Sequence, residues 1–220
     1  DNGNFVVVWM SIVDRELHVY GIFVDSQGNA GEALQLSQAS RDYYASSILE
    51  GVLPSISYHQ TTGYLVAWAS DAGSARGIYS RSVDNFGAPG ISEQRFITSD
   101  SYSLRYPRIS HSQNGVYALV WSELIESTTS NFDVFMQRFS NQSQPLGLPA
   151  KVNTHLEDDQ SNPRITFDDY GNSLVVWQSF DQFDSWDILG RRYLANGNPN
   201  GPEFRVNDGT IRWQTATSIC

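Results

Sequence analysis

The chain has 220 residues, 24 acidic against 14 basic side chains for a net charge of −10, and a single cysteine, Cys220. That length suits one all-β domain. The lone cysteine excludes an internal disulfide framework or a CxxC metal site, and the acidic balance disfavours nucleic acid, because phosphate binding requires a basic face. With 6 Trp, 11 Tyr and 11 Phe and only 17% charged residues, the composition is that of a packed core rather than a disordered acidic tail. No apolar run reaches the roughly 18 residues of a membrane span, and residues 1–9 lack the basic start of a signal peptide. Without an initiating Met the chain reads as a processed or excised form, which leaves secretion open.

The first apolar run, Phe5-Val6-Val7-Val8-Trp9, returns as Tyr64–Trp68, Tyr117–Trp121 and Ser173–Trp177, so the tryptophans recur 59, 53 and 56 residues apart. A fixed period of this size marks a repeat architecture. Pro-led segments, Pro54–Tyr58, Pro107–His111 and Pro163–Phe167, precede three of the runs across short Gly-containing turns, which predicts a hairpin of strands A and B. After each tryptophan come a polar loop, a third strand C such as Val134–Phe139 or Ile188–Tyr193, a Gly/Asn/Pro turn, and a fourth strand D near Ala150–Asn153 or Phe204–Asn207. The B runs are apolar at consecutive positions, so both faces of each B strand must be covered.

Four-stranded antiparallel units, each packed between two others, describe a β-propeller. The chain ends are out of phase with the repeat: Asp1–Asn4 reads as an A-to-B turn, and residues 214–220 read as an A strand. The expectation is an all-β, four-bladed propeller in one domain, 1–220, closed by residues 214–220 pairing with the N-terminal strand. Its blades are 214–220 with 4–37, 54–98, 107–153 and 163–207. Half of an eight-bladed ring made by two chains is the competing arrangement.

The last repeat carries Asp168-Asp-Tyr-Gly-Asn172, Trp177-Gln-Ser179, Arg191-Arg-Tyr193 and Gly197-Asn-Pro-Asn-Gly201. This pattern resembles tandem propeller repeats of large secreted bacterial proteins, lectin-like or adhesin-like, over nearly the whole chain. The resemblance implies a fold and, by analogy alone, a glycan-binding role in a secreted or cell-surface protein. Neither haem nor calcium carries over from it residue by residue.

In an up-and-down blade the longer B–C and D–A loops share one face, and binding residues concentrate on such loops. That face holds Tyr43, Tyr44, Tyr102, Trp186 and Trp213 beside Asp181 and Asp184, a mixture of aromatics and carboxylates that suits sugars. Trp186, between Asp184 and Asp187, is the preferred ligand contact, and the four repeated tryptophans are expected in the core. Arg81, Arg138 and Arg192 recur on strand C, where an inter-blade hydrogen bond is the expected role. Asp14, Asp71, Glu123 and Asp181 follow the repeat tryptophans and could gather cations or supply an acid/base pair. No cofactor is expected, although the acidic stretch from Glu157 to Asp187 makes calcium an open option.

Repeated sites favour multivalent binding, so a non-catalytic lectin-like or adhesion module is the leading expectation. A structural or protein-interaction propeller with calcium is the alternative, and a glycoside hydrolase or lyase is the second alternative. The partner is expected to be a glycan or a surface protein, and a homo-oligomer is possible.

Overall fold

The computed structural model describes residues 3–14, 16–38, 41–42, 51, 53–70, 76–98, 103–124, 131–155, 158–181, 185–208, 214 and 218–219. Among them the chain is all-β, with sixteen strands in four four-stranded antiparallel sheets. The sheets fall into two compact units, Asp1–Asp100 and Ser101–Cys220.

In the first unit, sheet A holds β1 (Phe5–Val13), β2 (Glu16–Val24), β3 (Leu34–Gln35) and β4 (Arg41–Asp42), and sheet B holds β5 (Ser55–His59), β6 (Gly63–Ser70), β7 (Gly77–Val83) and β8 (Gln94–Thr98). In the second, sheet C holds β9 (Ser103–His111), β10 (Tyr117–Leu124), β11 (Asp133–Phe139) and β12 (Ala150–Lys151). Sheet D holds β13 (Gln160–Phe167), β14 (Ser173–Asp181), β15 (Ser185–Tyr193) and β16 (Phe204–Arg205). Sheets B, C and D run A-B-C-D in spatial order, as expected of meandering blades.

The apolar B runs are covered on both faces: Val66 to Ala69, Ala118 to Trp121 and Val175 to Trp177 are all buried. Within each unit the stacking follows residue parity. Ala118, Val120, Val134 and Met136 of sheet C pack on Ile165, Val175, Trp177 and Tyr193 of sheet D. Likewise Val6, Val8, Met10 and Val19 of sheet A pack on Val66, Trp68 and Tyr79 of sheet B. The tryptophan-bearing face of one sheet therefore covers the opposite face of the sheet before it. Successive strand residues point to opposite faces, so the consecutive apolar positions of a B run place side chains on both sides of its sheet. Trp68, Trp121 and Trp177 are buried as expected, while Trp9 is half-buried and stacks on Tyr20.

Side chains of strand C tie the stack together. Arg81 Nη1 donates to the Leu36 carbonyl at 3.0 Å, and Arg191 Nη1 to the Val152 carbonyl at 2.8 Å, so each arginine reaches the residue that follows strand D of the preceding sheet. The grouping of Arg81 with Arg138 and Arg192 needs correction. Arg81 lies opposite Val66, two residues before its tryptophan, and its true counterparts are Gln137 and Arg191; Arg138 and Arg192 lie one position further along. Spacing from the tryptophan measures chain length through loops of unequal size, whereas strand register does not.

Pro54 directly precedes β5, as expected, but Pro107 and Pro163 do not open their strands. Strand β9 begins at Ser103 and β13 at Gln160, and Pro107 and Pro163 sit at bulges where the register with strand B shifts. A bulge leaves one residue out of the ladder and tolerates the missing N–H of proline. The preceding residues, Tyr106 and Asn162, take φ of 53° and 52°. Arg108 and Arg164 follow the two prolines and donate to the Pro107 and Pro163 carbonyls at 2.8 and 2.9 Å. Burial, aided by the charge of Arg164, pulls the Arg108 guanidinium down to about 10.

One turn geometry recurs at the other end of the strands. In Asp25–Asn29, Asp84–Ala88, Ser112–Val116, Ser140–Gln144, Asp168–Asn172 and Leu194–Asn198, the first N–H bonds the fifth carbonyl and the fourth N–H bonds the first carbonyl. The fourth residue has positive φ and is glycine in all six but one, where Ser143 takes 62°. An aspartate in first place accepts further N–H groups with its side chain; Asp168 Oδ1 takes those of Tyr170 and Asn172 at 3.0 and 2.8 Å. The Asn172 amide and these backbone donors hold the exposed Asp168 carboxyl below the usual carboxylate range.

Sheet A departs from expectation. Its fourth strand is β4, which pairs with Glu16 and Leu17 of β2. Among the described residues β1 has no partner besides β2. The expected closing strand falls mostly outside the described residues; of 214–220 only Gln214, Ser218 and Ile219 are described, none of them in a strand. The Gln214 N–H donates to the Trp186 carbonyl at 2.8 Å.

Two outcomes follow from the turns. Gly63 has φ of 80°, and an added Cβ would lie 2.4 Å from the Val83 carbonyl oxygen. Gly63→Ala is expected to cost about 2–4 kcal/mol in urea unfolding, combining left-handed strain with a backbone clash. Because the folded Asp168 pKa is lowered, its contribution to stability is present above the unfolded value and is lost as pH falls through the folded one. Asp168→Asn should therefore flatten the acid limb of the stability profile, measured as Tm between about pH 5 and 2.

Candidate active site

The ends of the B and C strands in the second unit carry a constellation that differs between sheets in one informative way. In sheet D the indole N–H of Trp177, fully buried, donates to Gln160 Oε1 at 2.9 Å, and Gln160 lies opposite Ser179 in register. A buried indole N–H needs such an acceptor. In sheet C the counterpart of Gln160 is Leu104, which cannot accept, and the counterpart of Ser179 is Glu123. Trp121 Nε1 accordingly donates to Glu123 Oε2 at 2.8 Å. The position two residues after the tryptophan is serine in the other three repeats, at Ser11, Ser70 and Ser179.

Glu123 is directly opposite Asp133 on β11, so two half-buried carboxylates share one face of neighbouring strands. Such a pair is unfavourable unless one member is compensated. Asp133 is compensated. Its Oδ2 forms an ion pair with Lys151, and its Oδ1 accepts from Asn153 Nδ2 at 2.7 Å. Asn153 Oδ1 in turn accepts the Val134 N–H at 2.8 Å, which fixes the amide and hence the carboxylate. Sheet D repeats this support: Asp187 pairs with Arg205, Asn207 Nδ2 donates to Asp187 Oδ1 at 3.0 Å, and Asn207 Oδ1 accepts from the Ile188 N–H at 2.9 Å. Among the described residues, only sheet C adds a second carboxylate to the frame. The arrangement places a clamped aspartate and a glutamate side by side on one face of neighbouring strands.

Of the residues expected to bind ligand, Trp186 lies in β15, opposite Phe180, and packs against that ring at 5.1 Å; it is half-buried rather than freely exposed. Asp181 ends β14 opposite Ser185, and its side chain lies outside the described residues, as do Tyr43, Tyr44, Tyr102, Asp184 and Trp213. Asp14 is exposed in the β1–β2 turn with φ of 52°, and Asp71 is not among the described residues. Among the described residues no group of three or more His, Cys, Asp or Glu is placed to hold a metal ion. Sequence reasoning missed Asp133. The signal that could have found it is the paired recurrence of Asp133 with Lys151-Val-Asn153 and of Asp187 with Arg205-Val-Asn207.

No protein-family model matches the sequence, and no curated protein matches it. Solved structures do. A thermostable family-43 glycoside hydrolase is similar over 96% of this chain and 75% of its own, with TM-score 0.54 and 12% identity. The alpha-L-arabinofuranosidase of Podospora anserina, solved with cellotriose, is similar over 97% of this chain and 67% of its own, at TM-score 0.57 and 10% identity. A xylan beta-1,4-xylosidase from Bacillus halodurans is similar over 99% of this chain but 46% of its own, at TM-score 0.53 and 11% identity. At such identities the likeness is one of fold, and the fold is the β-propeller.

The comparison corrects the leading expectation of a non-catalytic lectin or adhesin, since these similar structures are glycoside hydrolases by name. Repetition of strands specifies how blades stack, and it carries no information on whether one repeat has been altered to do chemistry. Gln160→Leu tests the local account: leaving the Trp177 indole without an acceptor is expected to cost about 1–3 kcal/mol in urea unfolding.

Proposed function

We propose that this chain is a glycoside hydrolase in which Glu123 is the acid–base carboxylate and Asp133 the carboxylate beside it. The observation that carries the reading is the reciprocal exchange between sheets: Gln160 and Ser179 in one, Leu104 and Glu123 in the other. A serine would leave Trp121 without its acceptor once Leu104 is present, so the glutamate has a structural reason to exist. That reason does not explain why it stands opposite a second carboxylate. Glu123 would give a proton to the departing glycosidic oxygen as that bond breaks, water would add to the anomeric carbon and return a proton to the carboxylate, and Asp133, ion-paired with Lys151, would face the positive charge that develops on the sugar ring.

The propeller fold shared with an arabinofuranosidase and a xylosidase supports a pentose-containing polysaccharide as substrate. Polymers of that kind are too large to enter a cell, which fits a secreted or surface-displayed enzyme. Calcium would act, if at all, outside this carboxylate pair, whose cation is Lys151.

Glu123→Gln separates structure from chemistry, because the amide oxygen still accepts the Trp121 indole. Turnover of aryl arabinofuranosides or xylosides should fall by about 10²–10⁴ with circular dichroism unchanged. Wild-type protein inactive across a panel of aryl glycosides, or a Glu123→Gln variant as fast as wild type, would overturn the assignment.

A further inference from the structure

The A strands of the second unit carry two arginines that the stacking does not use. The residue facing the one before the tryptophan is Ser55 in sheet B, Arg108 in sheet C and Arg164 in sheet D. Strands β9 and β13 lie against each other, and each arginine follows a proline bulge at the same place in its strand. Arg81 and Arg191 reach across to a neighbouring sheet, whereas Arg108 and Arg164 curl back along their own strands. Arg108 uses Nη1 alone, on the Pro107 carbonyl at 2.8 Å. Arg164 also uses Nη1 alone, on the Pro163 carbonyl at 2.9 Å and Asn162 Oδ1 at 2.6 Å, with the Asn162 carbonyl further off at 3.5 Å.

A guanidinium carries five N–H donors in a planar fork. In both arginines Nε and Nη2 meet no acceptor among the described residues, and none of these atoms is sealed from water. Among the described residues neither side chain forms an ion pair. Both are half-buried, and the charge of Arg164 bears on Arg108. Two like charges held together without a counter-ion disfavour the folded state, so the pair is set up for an anion that the described residues do not supply. The backbone beneath them is strained in the same way on both strands: Tyr106 and Asn162 take positive φ immediately before the prolines. Outliers of this kind persist where the surroundings hold a ligand clamp in place.

We propose that Arg108 and Arg164 together hold a carboxylate, that of a uronic acid unit carried by the polysaccharide substrate. A planar carboxylate presents two oxygens to the two forks and neutralises a pair that otherwise repels. The sugar part of this statement rests on the hydrolase reading, whereas the carboxylate part rests on the arginines alone.

Isothermal titration calorimetry tests it by comparing xylotetraose that bears one glucuronic acid with the same oligosaccharide after its carboxyl is reduced to a primary alcohol. The protein carries Glu123→Gln throughout, so that neither ligand is consumed. The acidic ligand should bind at least about tenfold more tightly, as expected of hydrogen bonds to a charged group. Arg108→Met and Arg164→Met, added singly and checked by circular dichroism, should each bring the two affinities within about threefold of one another. Equal affinity for the acidic and the neutral ligand, binding of neither, or a preference that survives loss of both arginines would each overturn the proposal. Binding is read without turnover, so the two readings fail separately. Wild type that is inactive while the protein still prefers the acidic ligand refutes the hydrolase reading alone, and active wild type without that preference refutes this site alone.

Discussion

The constraint on which the structure depends is that a B strand apolar at consecutive positions must be buried on both sides. A single sheet cannot meet it, and neither can a sheet with one wet face. Stacking sheets with the tryptophan face of one against the opposite face of the one before does meet it, and both units are built that way. The hydrogen bonds from Arg81 and Arg191 to the carbonyls just after the preceding strand D fall at matching register, so the polar ties repeat with the apolar packing. On sheet A the same kind of run exposes Phe5 and Val7.

Burial of the tryptophans has a chemical consequence. Each buried indole carries an N–H that must find an acceptor, and the two sheets of the second unit supply it from different strands. Sheet D uses Gln160 from strand A, and sheet C uses Glu123 from the B strand itself. The second solution brings a carboxylate into a frame that already holds Asp133, clamped by Lys151 and Asn153. A packing requirement and a catalytic opportunity thus meet at one residue. Rigid strands rather than loops hold the pair, which suits chemistry that depends on carboxylate spacing.

Much of the fold was legible before any coordinates. The four tryptophan runs, the Gly-containing turns and the consecutive apolar positions specify four antiparallel sheets, because each signal is local. The bulges at Pro107 and Pro163 were not legible, since a Pro-led segment looks the same whether it opens a strand or interrupts one. Register on strand C was lost for a similar reason: an apolar run without alternation does not say which residue faces which neighbour, so Arg138 and Arg192 were aligned with Arg81. The site was half legible. Glu123 was picked out as a carboxylate following the tryptophan, but Asp133 emerged only from cross-strand pairing, and Leu104 explains Glu123 only once strand A is placed beside strand B. The lectin expectation failed because it generalised from what the repeats share, whereas chemistry resides where one repeat differs.

The stacking parity is the central claim, and a double-mutant cycle measures it most directly. Val120 of sheet C and Ile165 of sheet D belong to the same buried cluster, whereas Leu119, next in sequence, points to the other face of its strand. Val120→Ala and Ile165→Ala are predicted to couple by about 0.5–1.5 kcal/mol in urea unfolding, while Leu119→Ala and Ile165→Ala should add within about 0.5 kcal/mol. Additive behaviour of the first pair, or equal coupling of the second, would contradict the arrangement of faces from which the account proceeds.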